Sequence, residues 1–226
     1  FNNCSFISGQ QNKITFEFSN TKFAQKTEFY DCNIESVAKF YNLRLSDRTL
    51  FLFRDAKFKK NGLVVFQNIN FFPFTTYFEN NTKLKEHNLN APMLIFRYCN
   101  LSNVFFTNND LSYFSFYKTA FDEARLTSNR WKDISERFVN YEKGRSRVGY
   151  IRKKIIFEDI YFPILRKLEA LEYLEYSNLY QFQELNNYEE ISNLYRRYKV
   201  ALDNSKDYEQ AGWFYFNEFE MKRRDL

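Results

Sequence analysis

Few side chains here have the type and spacing that catalysis or metal binding needs. His87 is the sole histidine, so a His-based metal cluster is excluded and a Ser-His-Asp triad is disfavoured. Cys4, Cys32 and Cys99 lack CxxC spacing; they read as buried thiols of a reducing compartment rather than as a zinc site or a disulfide framework. Gly144 and Gly149 bracket Arg145-Ser146-Arg147-Val148 without the spacing of a phosphate loop. Glu218 and Glu220 fall opposite Arg196 and Arg197 if the two segments form facing helices. An acid pair for proton transfer is one reading, and inter-helix ion pairing is the expected one. The run Trp213-Phe214-Tyr215-Phe216 cannot all face one core, so these four are candidate interaction residues, with packing against the preceding domain as the competing explanation. No catalytic, cofactor-binding or metal residue is assigned, and the chain is not expected to be an enzyme.

The elements that must position these residues are set by an unusual composition. Phe 28, Tyr 17 and Trp 2 make 21% of the 226 residues, against Gly 5 and Pro 3, and 27% are charged. No run approaches 18 consecutive apolar residues, so no membrane-spanning helix is expected. The opening FNNCSFISGQ has neither the basic nor the apolar region of a signal peptide, and the abrupt ends suggest a piece of a longer chain. The net charge of +5 is concentrated early: residues 1–131 carry 16 Lys+Arg against 11 Asp+Glu, and residues 132–226 carry 17 against 17. Arg152-Lys153-Lys154 is the densest basic cluster, which is too little to point to nucleic acid.

From Leu94 the chain divides into fives: LIFRY, CNLSN, VFFTN, NDLSY, FSFYK, TAFDE and ARLTS. Their centres are Phe96, Leu101, Phe106, Leu111, Phe116, Phe121 and Leu126, and Trp131 follows five later. Helices repeat at 3.6 and strands at 2. A period of five instead requires a chain that turns a corner after each short extended piece, with the centre inward each time. Phe23, Phe29, Ile34, Phe40, Leu45 and Phe58 continue the unit with one-residue slips, and the register is hard to follow over 61–92. The residue two before each centre is often small, as at Thr21, Thr27, Cys32, Ala38, Ala56, Cys99, Thr119 and Ala124. Leu94 and Phe114 break that rule and are expected to bulge or to sit near an end.

CNLSN, NDLSY and TAFDE resemble the unit of the pentapeptide-repeat family, small–Asp/Asn–Leu/Phe–polar–polar, over roughly residues 4–131. The resemblance implies a right-handed quadrilateral β-helix with four repeats per coil. Residues twenty apart then stack: Phe96 with Phe116, Leu101 with Phe121, Phe106 with Leu126, Leu111 with Trp131. Coils about 4.8 Å apart allow offset stacking of aromatic rings. Asn, abundant in this half, tolerates the corners. Such a rod needs its ends covered.

After Trp131 the period of five stops and Tyr replaces Phe, with 11 of 17 Tyr in residues 132–226. This part, 132–226, is expected to be a helical cap or linker to a β-helix of 1–131. A helix is expected after Pro163, from Leu165, Leu168, Leu171 and Tyr173. A helical hairpin over about 187–223 is the clearer feature. Its first helix opens at Asn187-x-x-Glu190 and presents Ile191, Leu194, Tyr195, Tyr198, Ala201 and Leu202. Its second opens at Asp207-x-x-Gln210 and presents Tyr208, Ala211, Phe214, Tyr215 and Phe219; both starts have the form of a capping box. Ala211-Gly212 would let the backbones approach. The run from Ile191 to Arg224, with Leu194-Tyr195-Arg196, Asp207-Tyr208, Ala211-Gly212 and Glu218-Phe219-Glu220-Met221, is similar to a segment that follows the repeats in many bacterial pentapeptide-repeat proteins. In some of them, the resemblance implies, it precedes a membrane-embedded, channel-like region.

The expected function is a non-catalytic structural or protein-interaction module, cytoplasmic and tied to a membrane or channel-like protein through residues outside this chain, with an unknown protein partner or a second copy. The alternative, also implied by the resemblance, is a regulator of DNA gyrase that imitates DNA. A DNA mimic needs an acidic surface, and the +5 of residues 1–131 counts against it.

Overall fold

The computed structural model describes residues 5–6, 14–23, 25–45, 49–59, 62–84, 93–142, 145–159 and 188–225. The first half winds into a parallel β-solenoid of about four turns. Four faces recur in fixed order along the chain. The first stacks Ser5–Phe6, Asn33–Ile34, Lys57–Phe58 and Thr82–Lys83, and the Asp110–Arg130 bridge continues it. The second stacks Ile14–Ser19, Val37–Tyr41, Leu63–Gln67, Leu94–Arg97 and Phe114–Tyr117. On the third, Lys22–Phe23 pairs with Arg44–Leu45, and Asn70, Asn100 and Ala120 bridge in turn. The fourth stacks Lys26–Tyr30, Leu50–Arg54, Thr76–Glu79, Phe105–Thr107 and Arg125–Thr127.

The final coils keep the twenty-residue repeat, with Phe96 opposite Phe116 and Phe106 opposite Leu126. Earlier coils are longer. Phe18 pairs with Phe40, Phe40 with Phe66 and Phe66 with Phe96, so the spacing runs 22, 26 and 30 before it settles at 20. Phe66, Phe71 and Phe78 are the inward centres of the stretch whose register the sequence obscures, and all three are buried. The second-face centres form one column of nearly parallel rings, 4.7 Å from Phe18 to Phe40, then 5.0, 5.3 and 5.2 Å on to Phe116. Each such pair contributes about 0.5–1.5 kcal/mol beyond the area it buries.

Leu94 and Phe114 do not bulge but do sit near an end: they lie opposite each other in register on the last two strands of the second face and are fully buried. The register shift on that face falls elsewhere, between Ile14 and Phe16. The reason is that volume is shared around each coil. The coil with small Ala38 carries buried Leu43 and Phe51 on its other faces, whereas the coil with Phe114 carries Thr119 and Ala124. A close-packed cross-section constrains the sum and leaves each position free.

The first face adds a polar column. Asn81, Asn109 and Asn129 are buried, the last two standing two residues before inward Leu111 and Trp131. Asn81 N–H donates to Asn109 Oδ1 at 3.1 Å, and Asn109 N–H donates to Asn129 Oδ1 at 3.0 Å. Their Nδ2 groups donate to carbonyls of the preceding coil, at Phe53, Phe78 and Phe106. Every rung is satisfied by its neighbours, which is the condition for burying an amide. Asparagine also holds the corners. Asn20, Asn42, Asn68, Asn80, Asn103 and Asn108 have φ between 50° and 56°, a conformation few other side chains accept. Gly62 is needed for a different reason, since a Cβ there would stand 2.0 Å from the Ile34 carbonyl oxygen.

Two expectations are corrected. Cys32 is disulfide-bonded rather than a free thiol, while Cys99 is free and buried, its thiol pushed up to about 12 by burial; Cys4 lies outside the described residues. Lys132–Glu142 and Arg145–Ile155 form an antiparallel β-hairpin, where the sequence predicts a helical region directly after Trp131. Their long alternating pairing is a two-stranded ladder with no period of five.

Candidate interaction surface at the solenoid–helix junction

Helix α1 spans Tyr188–Asn204 and helix α2 spans Tyr208–Asp225. Asp207 starts α2 as expected: its carboxylate accepts Gln210 N–H at 3.2 Å and Gln210 Nε2 at 2.6 Å. The buried stripe of α1 contains Ile191, Leu194, Tyr195, Tyr198, Ala201 and Leu202, as the 3.6-residue spacing predicts. Helix α2 differs. It buries Ala211, Phe214, Asn217, Glu218 and Met221, whereas Tyr208, Tyr215 and Phe219, assigned to its packed side from spacing, are exposed. Gly212 faces open space and makes no close backbone approach; buried Ala211 occupies the packed side instead. Apolar residues surround α2 on several sides, so spacing alone does not choose the side that packs.

The pair covers the last coil. Tyr198 lies edge-on to Phe116, Phe121 and Trp131, at 5.7, 4.9 and 6.2 Å between ring centroids, and stacks on Phe214 at 5.4 Å. Phe214 meets Trp131 at 5.2 Å. Backbone groups of that coil have no further strand to bond, and side chains supply partners instead. Glu158 Oε1 accepts Phe116 N–H at 3.1 Å, and Ser205 Oγ accepts Leu126 N–H at 3.0 Å. Arg197 donates to the Thr119 carbonyl at 2.7 Å, and Asn204 donates to the Asp122 carbonyl at 3.0 Å. Asn217 ties α2 to the β-hairpin through the Lys154 carbonyl at 2.6 Å.

Burial sets the electrostatics here. Enclosure of Glu158 pushes its carboxyl up to about 7, against the pull of the backbone and Ser115 hydrogen bonds. Burial also raises the phenols of Tyr195 and Tyr198 well above the ordinary value; Tyr195 donates to Asp159 Oδ2 at 2.6 Å. Burial works to raise Glu218 too, but hydrogen bonds and charge from Lys222 and Arg196 outweigh it and hold the carboxyl below its ordinary value. Lys222 Nζ stands 2.6 Å and Arg196 Nη2 3.1 Å from Glu218 Oε1. Arg196–Glu218 is thus the inter-helix ion pair expected of this segment, whereas Glu220 pairs with Arg223 and Arg224 on its own helix and Arg197 binds a carbonyl.

Of the candidate aromatic run, Phe214 is core, Trp213 is half-buried, and Tyr215 and Phe216 are exposed. Lys199 lies over the Tyr215 ring at 4.8 Å. The eight centres Phe96, Leu101, Phe106, Leu111, Phe116, Phe121, Leu126 and Trp131 are all buried. A partly open cavity of about 150 Å³ lies between α1 and the last coil, with Lys118, Glu190, Asn193 and Arg197 among its lining. His87, Gly144, Asn187 and the helix expected after Pro163 fall outside the described residues. Sequence reasoning does not find Glu158 or the asparagine column. For the asparagines a signal exists, Asn109 and Asn129 standing twenty apart and two before Leu111 and Trp131; for Glu158 there is none. No helix of the described residues is long and apolar enough to cross a membrane.

No family model, curated protein or solved structure matches the chain.

Proposed function

We propose that this chain is a non-catalytic protein-interaction module of the pentapeptide-repeat type, a stiff platform whose side faces present fixed columns of side chains to a partner. The observation that carries the reading is the closed end. Side chains of the helical pair and of Glu158 take up backbone groups on three faces of the last coil, so the rod does not extend by stacking there. Beside this closed end, the rod offers its chemistry laterally. The period of five, the four faces and the twenty-residue final coils support the family assignment. The lateral columns mix signs with apolar residues, as in Glu28–Leu52–Tyr77–Phe105–Arg125, which favours a protein partner over imitation of DNA.

The test is cross-linking of the full-length protein in its native cells, followed by purification and an alkaline wash of the membrane pellet. A stoichiometric cross-linked protein is expected. Retention in the washed pellet makes this module part of an integral membrane protein, and recovery of the protein alone, without any cross-linked partner, overturns the interaction reading.

A further inference from the structure

The fourth face carries a feature that internal stability does not explain. Phe74 occupies a corner at φ 61° and is 55% exposed. A bulky aromatic residue in the left-handed region is strained; Tyr98, at φ 52°, shares that conformation, so the corner is a feature of the solenoid and the surroundings of Phe74 are what set it apart. In the next coil the same corner is held by Asn103, whose carbonyl accepts the Phe74 N–H at 3.1 Å. An asparagine would therefore meet the backbone requirement, yet the position exposes a phenylalanine.

Three further side chains complete a patch around it. Tyr77 and Phe105 point outward from adjacent strands and stack at 4.7 Å with rings 7° apart. The Tyr77 hydroxyl donates to the Phe74 carbonyl at 3.1 Å and fixes the turn, and the Phe74 and Phe105 rings are 6.4 Å apart. Arg125 follows Phe105 in the column. Its Nε and Nη2 both donate to Asn103 Oδ1, at 3.3 and 3.1 Å, and its guanidinium carbon is 5.8 Å from the centre of the Phe74 ring. Arg125 is exposed and makes no ion pair among the described residues. Arg54, on the same face, is neutralised by Glu28 at 2.5 Å and lies over Tyr30. Arg125 is thus a cation held in place by a neutral amide, beside three aromatic rings, with its counter-charge missing.

We propose that this patch docks an extended segment of a partner protein that carries an aspartate or glutamate next to an apolar residue. The carboxylate takes the open donors of Arg125, as a guanidinium favours, and the apolar side chain covers Phe74 and Tyr77. Arginine and tyrosine beside exposed rings match the composition of binding hot spots. The proposal rests on the reading of this chain as an interaction module and adds the place and chemistry of contact.

The test is selection of a random displayed peptide library on the full chain, followed by titration of the enriched peptides, as synthetic peptides, against wild type, Phe74→Asn and Arg125→Gln. Enriched peptides are expected to share an acidic residue adjacent to an apolar one, and to bind each variant at least tenfold more weakly. Phe74→Asn is expected to raise the thermal midpoint while it removes binding, which separates loss of contact from loss of fold. Failure to enrich any peptide overturns the proposal, as does enrichment without an acidic residue or equal binding to the variants. If the partner cross-linked to full-length protein is retained by Phe74→Asn and Arg125→Gln, this site fails while the interaction module stands.

Discussion

The solenoid and the helical pair solve the same problem, satisfying a backbone while burying apolar side chains, by opposite means. In α1 and α2 the hydrogen bonds are local and the apolar stripe only has to find something to cover. In the solenoid they join residues twenty or more apart, such as Met93 to Tyr113 and Asn81 to Asn109, so no coil is complete without its neighbours. The solenoid therefore tolerates insertions at its corners but not loss of an inward residue. The helices tolerate aromatic residues on their outer side but depend on Tyr198 and Phe214 for docking. At the junction, where edge strands end and no coil follows, the helices supply the polar side chains that the last coil needs.

The largest expected effect breaks the solenoid column. Phe96→Ala removes a fully buried ring that touches Phe66, Phe78, Phe106 and Phe116, and a loss of about 3–5 kcal/mol is expected in denaturant unfolding. A loss below about 1 kcal/mol would mean that the column is not what holds the coils together.

Next is the pH dependence of the junction. Glu158 has a folded value of about 7 against an ordinary 4.5. The stability it lends as a neutral acid is fully present below pH 4.5 and is lost as pH rises through about 7. At about 1.36 kcal/mol per unit, that loss is on the order of 3 kcal/mol. Glu158→Gln keeps an acceptor for Phe116 N–H and cannot ionise, so it is expected to flatten the curve over this window and to exceed wild type at pH 8. Parallel curves for the two proteins would rule Glu158 out as the titrating group.

Asn109→Ala takes the central rung from the polar column and leaves the Asn81 N–H and the Phe78 carbonyl without partners. A cost of about 1–3 kcal/mol is expected, read as a lower chemical-denaturation midpoint; a neutral result would show that water replaces the amide. Ser205→Ala removes the acceptor for Leu126 N–H at a smaller cost, about 1 kcal/mol. Faster amide exchange at Leu126 is the specific readout, and unchanged exchange would contradict the capping role. Phe219→Ala, on the 50% exposed outer side of α2, sharpens the contrast with Phe96: it is expected to change stability by less than about 0.5 kcal/mol.

Much of this organisation is legible in residue spacing alone. The eight centres from Phe96 to Trp131 recur at five because each short piece turns one corner, and that geometry writes itself directly into the sequence. The stripe of α1 is legible for the same reason at 3.6. Phe66, Phe71 and Phe78 are not, because insertions at corners shift the spacing without altering which residues point inward. The β-hairpin of residues 132–155 also escapes a reading of spacing, although Lys143-Gly144 separates two runs of equal length. That turn signal is weak beside a period of five. The site is less legible than the fold: Trp213-Phe214-Tyr215-Phe216 marks the right segment, but only Phe214 joins the core.

By itself, then, the sequence determined the solenoid, its inward columns, its asparagine corners and the existence of a helical hairpin, because each follows from local geometry repeated along the chain. The tertiary structure decided which side of α2 packs, how volume is shared between Ala38 and Phe51 or between Phe114 and Ala124, and that Glu158 would close an edge strand 42 residues before it. It also decided that Phe74, Tyr77, Phe105 and Arg125 would meet on one face. These pairings join residues from different coils or different halves of the chain, and their separation depends on how many residues each corner happens to hold. No local periodicity records that number.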